Sequence, residues 1–233
     1  MSSIETLDDP SALARRVAEW LLELANAKEG RIALCLSGGS TPRLLYELLA
    51  TPPFRDGFPW ERIHLFWGDE RFVPPDDPLS NYRMVREALL SRIYIPTANV
   101  HPIPTEHLTP AHAAQRYEFI LRGFHRPDPD SPLFDVTLLG LGADGHTASL
   151  VPGSAVLEER LRWAAPVEGL MPQARITLTY PALENSRHVA FLVDGAAKRD
   201  ILARVLGGDA SLPAARLKPR GELRWFTDRA AHP

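Results

Sequence analysis

"FDVTLLGLGADGHTASLVPGS", residues 134–154, carries the reading on which the fold turns. The apolar run Val136 to Leu139 reads as a buried strand, and Gly140, Gly142 and Gly145 follow it with G-x-G-x-x-G spacing. In a dinucleotide-binding unit those glycines open a helix that packs on the strand and turns its N-terminus toward a pyrophosphate. Pro152 and Gly153 cut such a helix short, so the spacing is weak evidence for a nucleotide, although Glu168 stands near the end of the next apparent strand. Asp144 and His146 suggest acid-base work instead, because imidazole titrates near neutrality and a neighbouring carboxylate can orient it. An isolated DGH also reads as a turn whose side chains merely satisfy backbone groups.

Position decides between these readings. "RIALCLS" (31–37) and "RIHLFWG" (62–68) give the same strand signal, and "SGGS", "GDER" and "GADGH" each follow a strand at its carboxyl end. Ligands of open parallel sheets bind beyond those ends, so three polar loops are expected on one rim.

The rest of the chain supports an alternating pattern. Asp9 with Pro10 starts an amphipathic helix through Leu13, Val17, Trp20, Leu21 and Leu24. Pro42 starts a second, "NYRMVREALL" is a third, and Thr109 with Pro110 opens a fourth that should stop before "HRPDPDSP". "RWAAPVE", "ARITLTY" and "RHVAFLVDG" read as further strands, and "AAKRDILARVLGG" as a helix closed by Gly207 and Gly208. Strands alternating with helices predict an α/β protein, a largely parallel sheet with helices on both faces in three layers.

Composition sets the outer bounds. The 233 residues, 45% hydrophobic and 24% charged, suit one domain over 1–233. A net charge of −3 without a dense Lys/Arg run offers nothing to attract a nucleic acid, so any phosphate site must be local. Cys35 is the sole cysteine and lies in a buried strand, which fits a reducing compartment. There is no signal peptide and no 18-residue apolar run, so we expect a soluble, cytoplasmic protein with no membrane partner.

Each polar loop has its own chemistry. Ser37, Gly38, Gly39, Ser40 and Thr41 join a strand to a helix, where backbone N–H groups and hydroxyls can cradle a phosphate, without the G-K-[ST] of a triphosphate loop. Lys198 stands in the first turn of a helix, where the macrodipole disfavours a cation unless an anion lies nearby. Asp69, Glu70 and Arg71 place two carboxylates and a guanidinium beside a strand end. Arg175 could face a phosphate but begins its strand, so it reaches the rim only if that strand runs antiparallel or lies at a crossover. No set of residues around Asp144 and His146 supplies the further ligands a metal needs, and none is predicted.

The combination resembles the 6-phosphogluconolactonase family. The matching segments are "LSGGSTPRLLYELL", "WERIHLFWGDERFVPPDDPLSNYRMVREALL", "FDVTLLGLGADGHTASLVPGS", "PQARITLTYPALENSRHV" and "DGAAKRDIL", spread from about residue 30 to 205 in the family's order. The resemblance implies hydrolysis of 6-phospho-D-glucono-1,5-lactone in the oxidative pentose phosphate pathway, on a single sugar-phosphate isomerase/deaminase-like domain without cofactor or metal. It also implies a monomer or small homo-oligomer. It makes His146 the catalytic base with Asp144 beside it, and assigns the glycine loop, Arg175 and Lys198 to the phosphate and Arg71 to the substrate region, with Asp69 and Glu70 counted among the binding residues. One departure is Val151, where the family often has Phe after "TASL".

Two other readings stay open beside it. A glucosamine-6-phosphate deaminase would carry a DEY-like loop and a carboxylate in an FNEPG-like segment, where this chain has "GDERF" and "TASLVPGS". A sugar-phosphate-sensing domain would normally come with a DNA-binding segment, and this chain has no spare basic helix-turn-helix stretch.

Overall fold

The protein is described by a computed structural model at residues 2–126 and 130–233. Pro127 to Pro129, inside the turn-rich "HRPDPDSP", lie outside the described residues.

Seven parallel strands form the main sheet: β1 (Ser2–Leu7), β2 (Ile32–Leu36), β3 (Ile63–Trp67), β5 (Val100–His101), β6 (Phe134–Leu139), β9 (Ser186–Val193) and β10 (Glu222–Asp228). Their order is β1-β10-β9-β6-β2-β3-β5. β2 is buried at every position and β6 and β9 at nearly every one, because helices cover both faces. The chain runs outward from β2 through β3 to β5, then returns to the other side of β2 as β6. The strand order therefore reverses between β2 and β6, and parallel sheets open a crevice at such a point.

A second, antiparallel sheet stands beside the parallel one. β4 (Asp69–Arg71), β7 (Ala164–Val167) and β8 (Arg175–Leu178) pair in the order β4-β8-β7. "RWAAPVE" and "ARITLTY" thus leave the main sheet, and "GDER" is a strand of the small sheet rather than a loop. Gly68 joins the two sheets: its N–H donates to Leu36 O at 2.9 Å in the main sheet, and its carbonyl accepts from Leu178 N at 2.8 Å in the small one.

The helix starts follow local chemistry. Asp9 accepts from Ala12 N at 2.8 Å and Thr109 from His112 N at 3.3 Å, capping the helices Pro10–Ala27 and Pro110–His125, each with proline in the first turn where no N–H is needed. The second helix, Ser40–Leu49, begins two residues before the expected Pro42, which sits inside its first turn. No helix follows the glycines of the DGH loop: the chain goes on through turns to a single 3-10 turn at Ala155–Glu158. One apolar core runs under both sheets, from Leu13 and Trp20 through Phe66 and Phe134 to Ile176, Phe191 and Phe226.

Candidate active site

A cavity of about 590 Å³ opens at the β2/β6 reversal. Its wall includes Ser37 to Pro42, Asp69, Arg71, Asn81, Gly140 to Ala143, His146, Met171, Arg175, Asp194 and Lys198. The three polar loops expected on one rim meet here, and β8 brings Arg175 to them.

The strand ends are finished by two buried tyrosines. The Tyr46 hydroxyl accepts from Ser37 N at 3.0 Å and donates to Ser37 O at 2.9 Å. Tyr117 does the same at Trp67, accepting at 2.8 Å and donating at 2.9 Å. Burial pushes both phenols far above their ordinary range, so they stay neutral donors. They satisfy backbone groups where β2 and β3 run out of ladder, which lets the loops diverge around the cavity.

His146 is held by its own loop. Its Nδ1 lies 2.5 Å from Asp144 Oδ1, and its backbone N–H reaches the same oxygen at 3.2 Å. Partial burial pushes the Asp144 carboxyl up, but the hydrogen bonds from the His146 ring and backbone outweigh it and hold the group below its ordinary value. The Nδ1 edge of the ring lies over Gly142, where an added Cβ would come within 2.1 Å of Nδ1. With Asp144 accepting from Nδ1, the neutral tautomer leaves Nε2 as the ring's acceptor. Behind the loop, Gly145 takes φ +80° and its carbonyl accepts from Ala214 N at 3.0 Å, with Leu212 packed where a Cβ would stand.

Arg71 and Arg175 are cross-strand partners in the small sheet. Arg175 is held down from its usual range, chiefly by burial and then by the Arg71 charge. The Nε atoms of both guanidiniums are buried without a partner among the described residues. Two neighbouring guanidiniums on one wall are chemically suited to an oxyanion. Lys198 stands on the same wall, in the 3-10 turn Ala196–Lys198 that precedes the helix Arg199–Leu206, and makes no ion pair among the described residues.

Two of the expected binding residues are engaged by protein partners. Glu70 is 2% exposed and off the cavity wall: it accepts from Arg71 N, Asn81 N, Tyr82 N and Ser80 Oγ at 2.7–3.1 Å. Burial pushes its carboxyl up, and those backbone N–H groups pull against that. It ties "GDER" to the start of the helix Asn81–Ala88 and holds the backbone of Arg71. The Thr41 hydroxyl donates to Asp194, which spends its one proton and leaves only its N–H for a phosphate. Ser37, Gly38, Gly39 and Ser40 remain on the wall, with Gly39 at φ +107° entering the helix.

Asn81, Met171 and Asp194 are wall residues that motif reading passed over. Asp194 follows β9 at its carboxyl end, so the rule that located the other loops pointed there too. Asn81 gave only a helix-start signal, and Met171 sits in a connection without periodicity.

Residues 8–225 match the family described as "Glucosamine-6-phosphate isomerases/6-phosphogluconolactonase". A 6-phosphogluconolactonase of a Synechocystis strain is 45% identical over 89% of this chain and 86% of its own length. One from a Nostoc strain is 42% identical over 98% of this chain and 96% of its own. The crystal structure of 6-phosphogluconolactonase from Thermotoga maritima superposes with a TM-score of 0.84 at 33% identity, covering 98% of this chain and all of that one. The chain belongs to the glucosamine-6-phosphate isomerase/6-phosphogluconolactonase family.

Proposed function

We propose that the protein is a 6-phosphogluconolactonase: it hydrolyses 6-phospho-D-glucono-1,5-lactone to 6-phosphogluconate. The observation that carries this reading is the His146–Asp144 pair, joined at 2.5 Å, on the same cavity as the Arg71–Arg175 pair and the glycine loop. A base and an anion site on one wall suit a phosphorylated ester, and the relatives' names agree with that chemistry.

In this mechanism His146 Nε2 takes a proton from water as its oxygen attacks the lactone carbonyl carbon. The tetrahedral intermediate collapses by breaking the bond from that carbon to the ring oxygen, and the imidazolium returns its proton to the departing oxygen. The carboxylic acid formed then ionises, releasing one proton to solvent. Asp144 keeps the ring in the tautomer that leaves Nε2 free and stabilises the imidazolium, as a carboxylate does behind a hydrolase histidine. Arg71 stabilises negative charge on the former carbonyl oxygen. The glycine loop, Arg175 and Lys198 hold the phosphate, a remote handle whose binding energy orients the lactone. This is the second step of the oxidative pentose phosphate pathway, and we place the enzyme in the cytoplasm; no described helix is long and apolar enough to cross a membrane.

The test is acid release from freshly generated lactone at controlled pH, corrected for spontaneous hydrolysis, with ammonia release from glucosamine 6-phosphate run alongside. Acid release that disappears in His146→Ala supports the assignment. Ammonia release alone would turn the reading to a deaminase, and inactivity in both assays to a sensing domain.

A further inference from the structure

Asp69 is 7% exposed on the wall of a cavity built for an anion, where a carboxylate repels a phosphate. What it meets is protein. Its Oδ2 accepts from Ser149 Oγ at 2.6 Å, its Oδ1 lies 3.4 Å from Asn81 Nδ2, and Arg175 Nη1 stands 4.0 Å from Oδ2.

Each partner comes from a different element: Ser149 from the His146 loop, Asn81 from a helix start and Arg175 from β8. Ser149 lies three residues beyond His146 in the same loop, is wholly buried, and its N–H is held by Thr177 Oγ1 at 3.2 Å. Thr177 is the register partner of Asp69 on β8. Asn81 opens the helix Asn81–Ala88, donates to the Asp69 carbonyl at 2.9 Å, and fills the space over Gly38, where a Cβ would be 2.0 Å from its Oδ1. Arg175 carries the buried charge that a carboxylate can balance. The short hydroxyl-to-carboxylate bond is of the strong, charge-assisted kind, and among the described residues it is the hydrogen bond that ties the Asp69 side chain to the His146 loop.

We infer that Asp69 is a positioning residue: through Ser149 its carboxylate holds the His146 loop at a set distance from the Arg71–Arg175 pair, without contacting substrate. The inference rests on the lactonase reading.

The test compares Ser149→Ala, Asp69→Asn, Asp69→Ala and the Ser149→Ala/Asp69→Ala double variant, each checked for folding by its melting temperature. Ser149→Ala is expected to lower kcat about tenfold or more, since the lost bond is to a charged group, while KM and inhibition by inorganic phosphate stay within about twofold. Asp69→Asn keeps an acceptor for Ser149 and should lose less kcat than Asp69→Ala. The double variant should be no slower than Asp69→Ala, because both changes break one link. Amide exchange at residues 147–150 should quicken in Ser149→Ala, a readout that needs no turnover. Wild-type kcat and exchange in Ser149→Ala would overturn the inference, as would additive losses, or a rise in KM at constant kcat. If the wild type releases no acid from lactone, the functional reading fails, and the exchange data still decide whether Asp69 holds the loop.

Discussion

Arg71 and Arg175 face each other as register partners on an antiparallel ladder, two like charges where cross-strand pairs ordinarily place opposite ones. Like charges so placed should cost stability, and an anion bound between them should offset that cost. Inorganic phosphate should therefore raise the melting temperature, by the equivalent of about 2.7 kcal/mol at roughly 100 times its Kd. Arg175→Ala should abolish most of that shift. Lys198→Ala should reduce it and raise KM more than it lowers kcat. A melting temperature indifferent to phosphate in the wild type would remove the anion site from this wall.

Gly142 is required by the ring beside it. A methyl group there would meet His146 Nδ1 at 2.1 Å, and the ring is the part that can move. Gly142→Ala should swing His146 off Asp144 and lower kcat about a hundredfold or more, the scale of positioned acid-base catalysis, with the melting temperature little changed. Stopped-flow or pH-stat assays beside a thermal melt separate the two effects.

The tyrosines at the strand ends should matter for stability first. Tyr46→Phe leaves Ser37 N–H and C=O unpaired, and Tyr117→Phe does the same at Trp67. Each should cost about 1–3 kcal/mol in denaturant unfolding, the desolvation cost of orphaned buried groups. A neutral effect would mean that water takes over the hydroxyl's place.

His101 gives a pH dependence with a definite sign. It stacks on Phe66 at 4.5 Å and its Nε2 lies 3.1 Å from His64 Nδ1; burial, then the His64 charge, pulls it down to about 4. His64 is shifted the same way, by burial and then by Arg31. The unfolded value is about 6.5, so between about pH 4 and 6.5 the unfolded chain binds more protons than the folded one. Stability from this pair is complete above that window and lost as pH falls through it. Melting temperatures from pH 7.5 to 4.5 should show the decline, and His101→Phe should flatten it.

The sequence made the loops more legible than the residues that hold them. Buried parallel strands such as "RIALCLS" announce themselves by continuous apolar character, and the loops after them follow from topology. β1 and β10 escaped because "SSIETL" lies largely exposed along one edge and "ELRWFTD" begins with charge, so neither shows an apolar run. Whether Glu70 meets a ligand or supports Arg71 is open in the sequence, because nothing local reveals that three backbone N–H groups will claim it. Arg175 was ambiguous until β8 proved antiparallel to β4, a fact set by long-range pairing. Ser149 and Asn81 are polar residues whose partners lie 80 and 12 residues away, beyond the reach of any local pattern.

Gly68 hydrogen-bonds to one sheet through its nitrogen and to the other through its oxygen. The glycine loop hangs from the first sheet and the arginines from the second, so this one residue pins the two sides of the cavity to each other. Selectivity should then be partly a matter of length. Phosphorylated sugars whose anion-to-carbonyl distance fails to match the gap between His146 and the proposed phosphate groups, Arg175 and Lys198, should bind as inhibitors and leave unchanged.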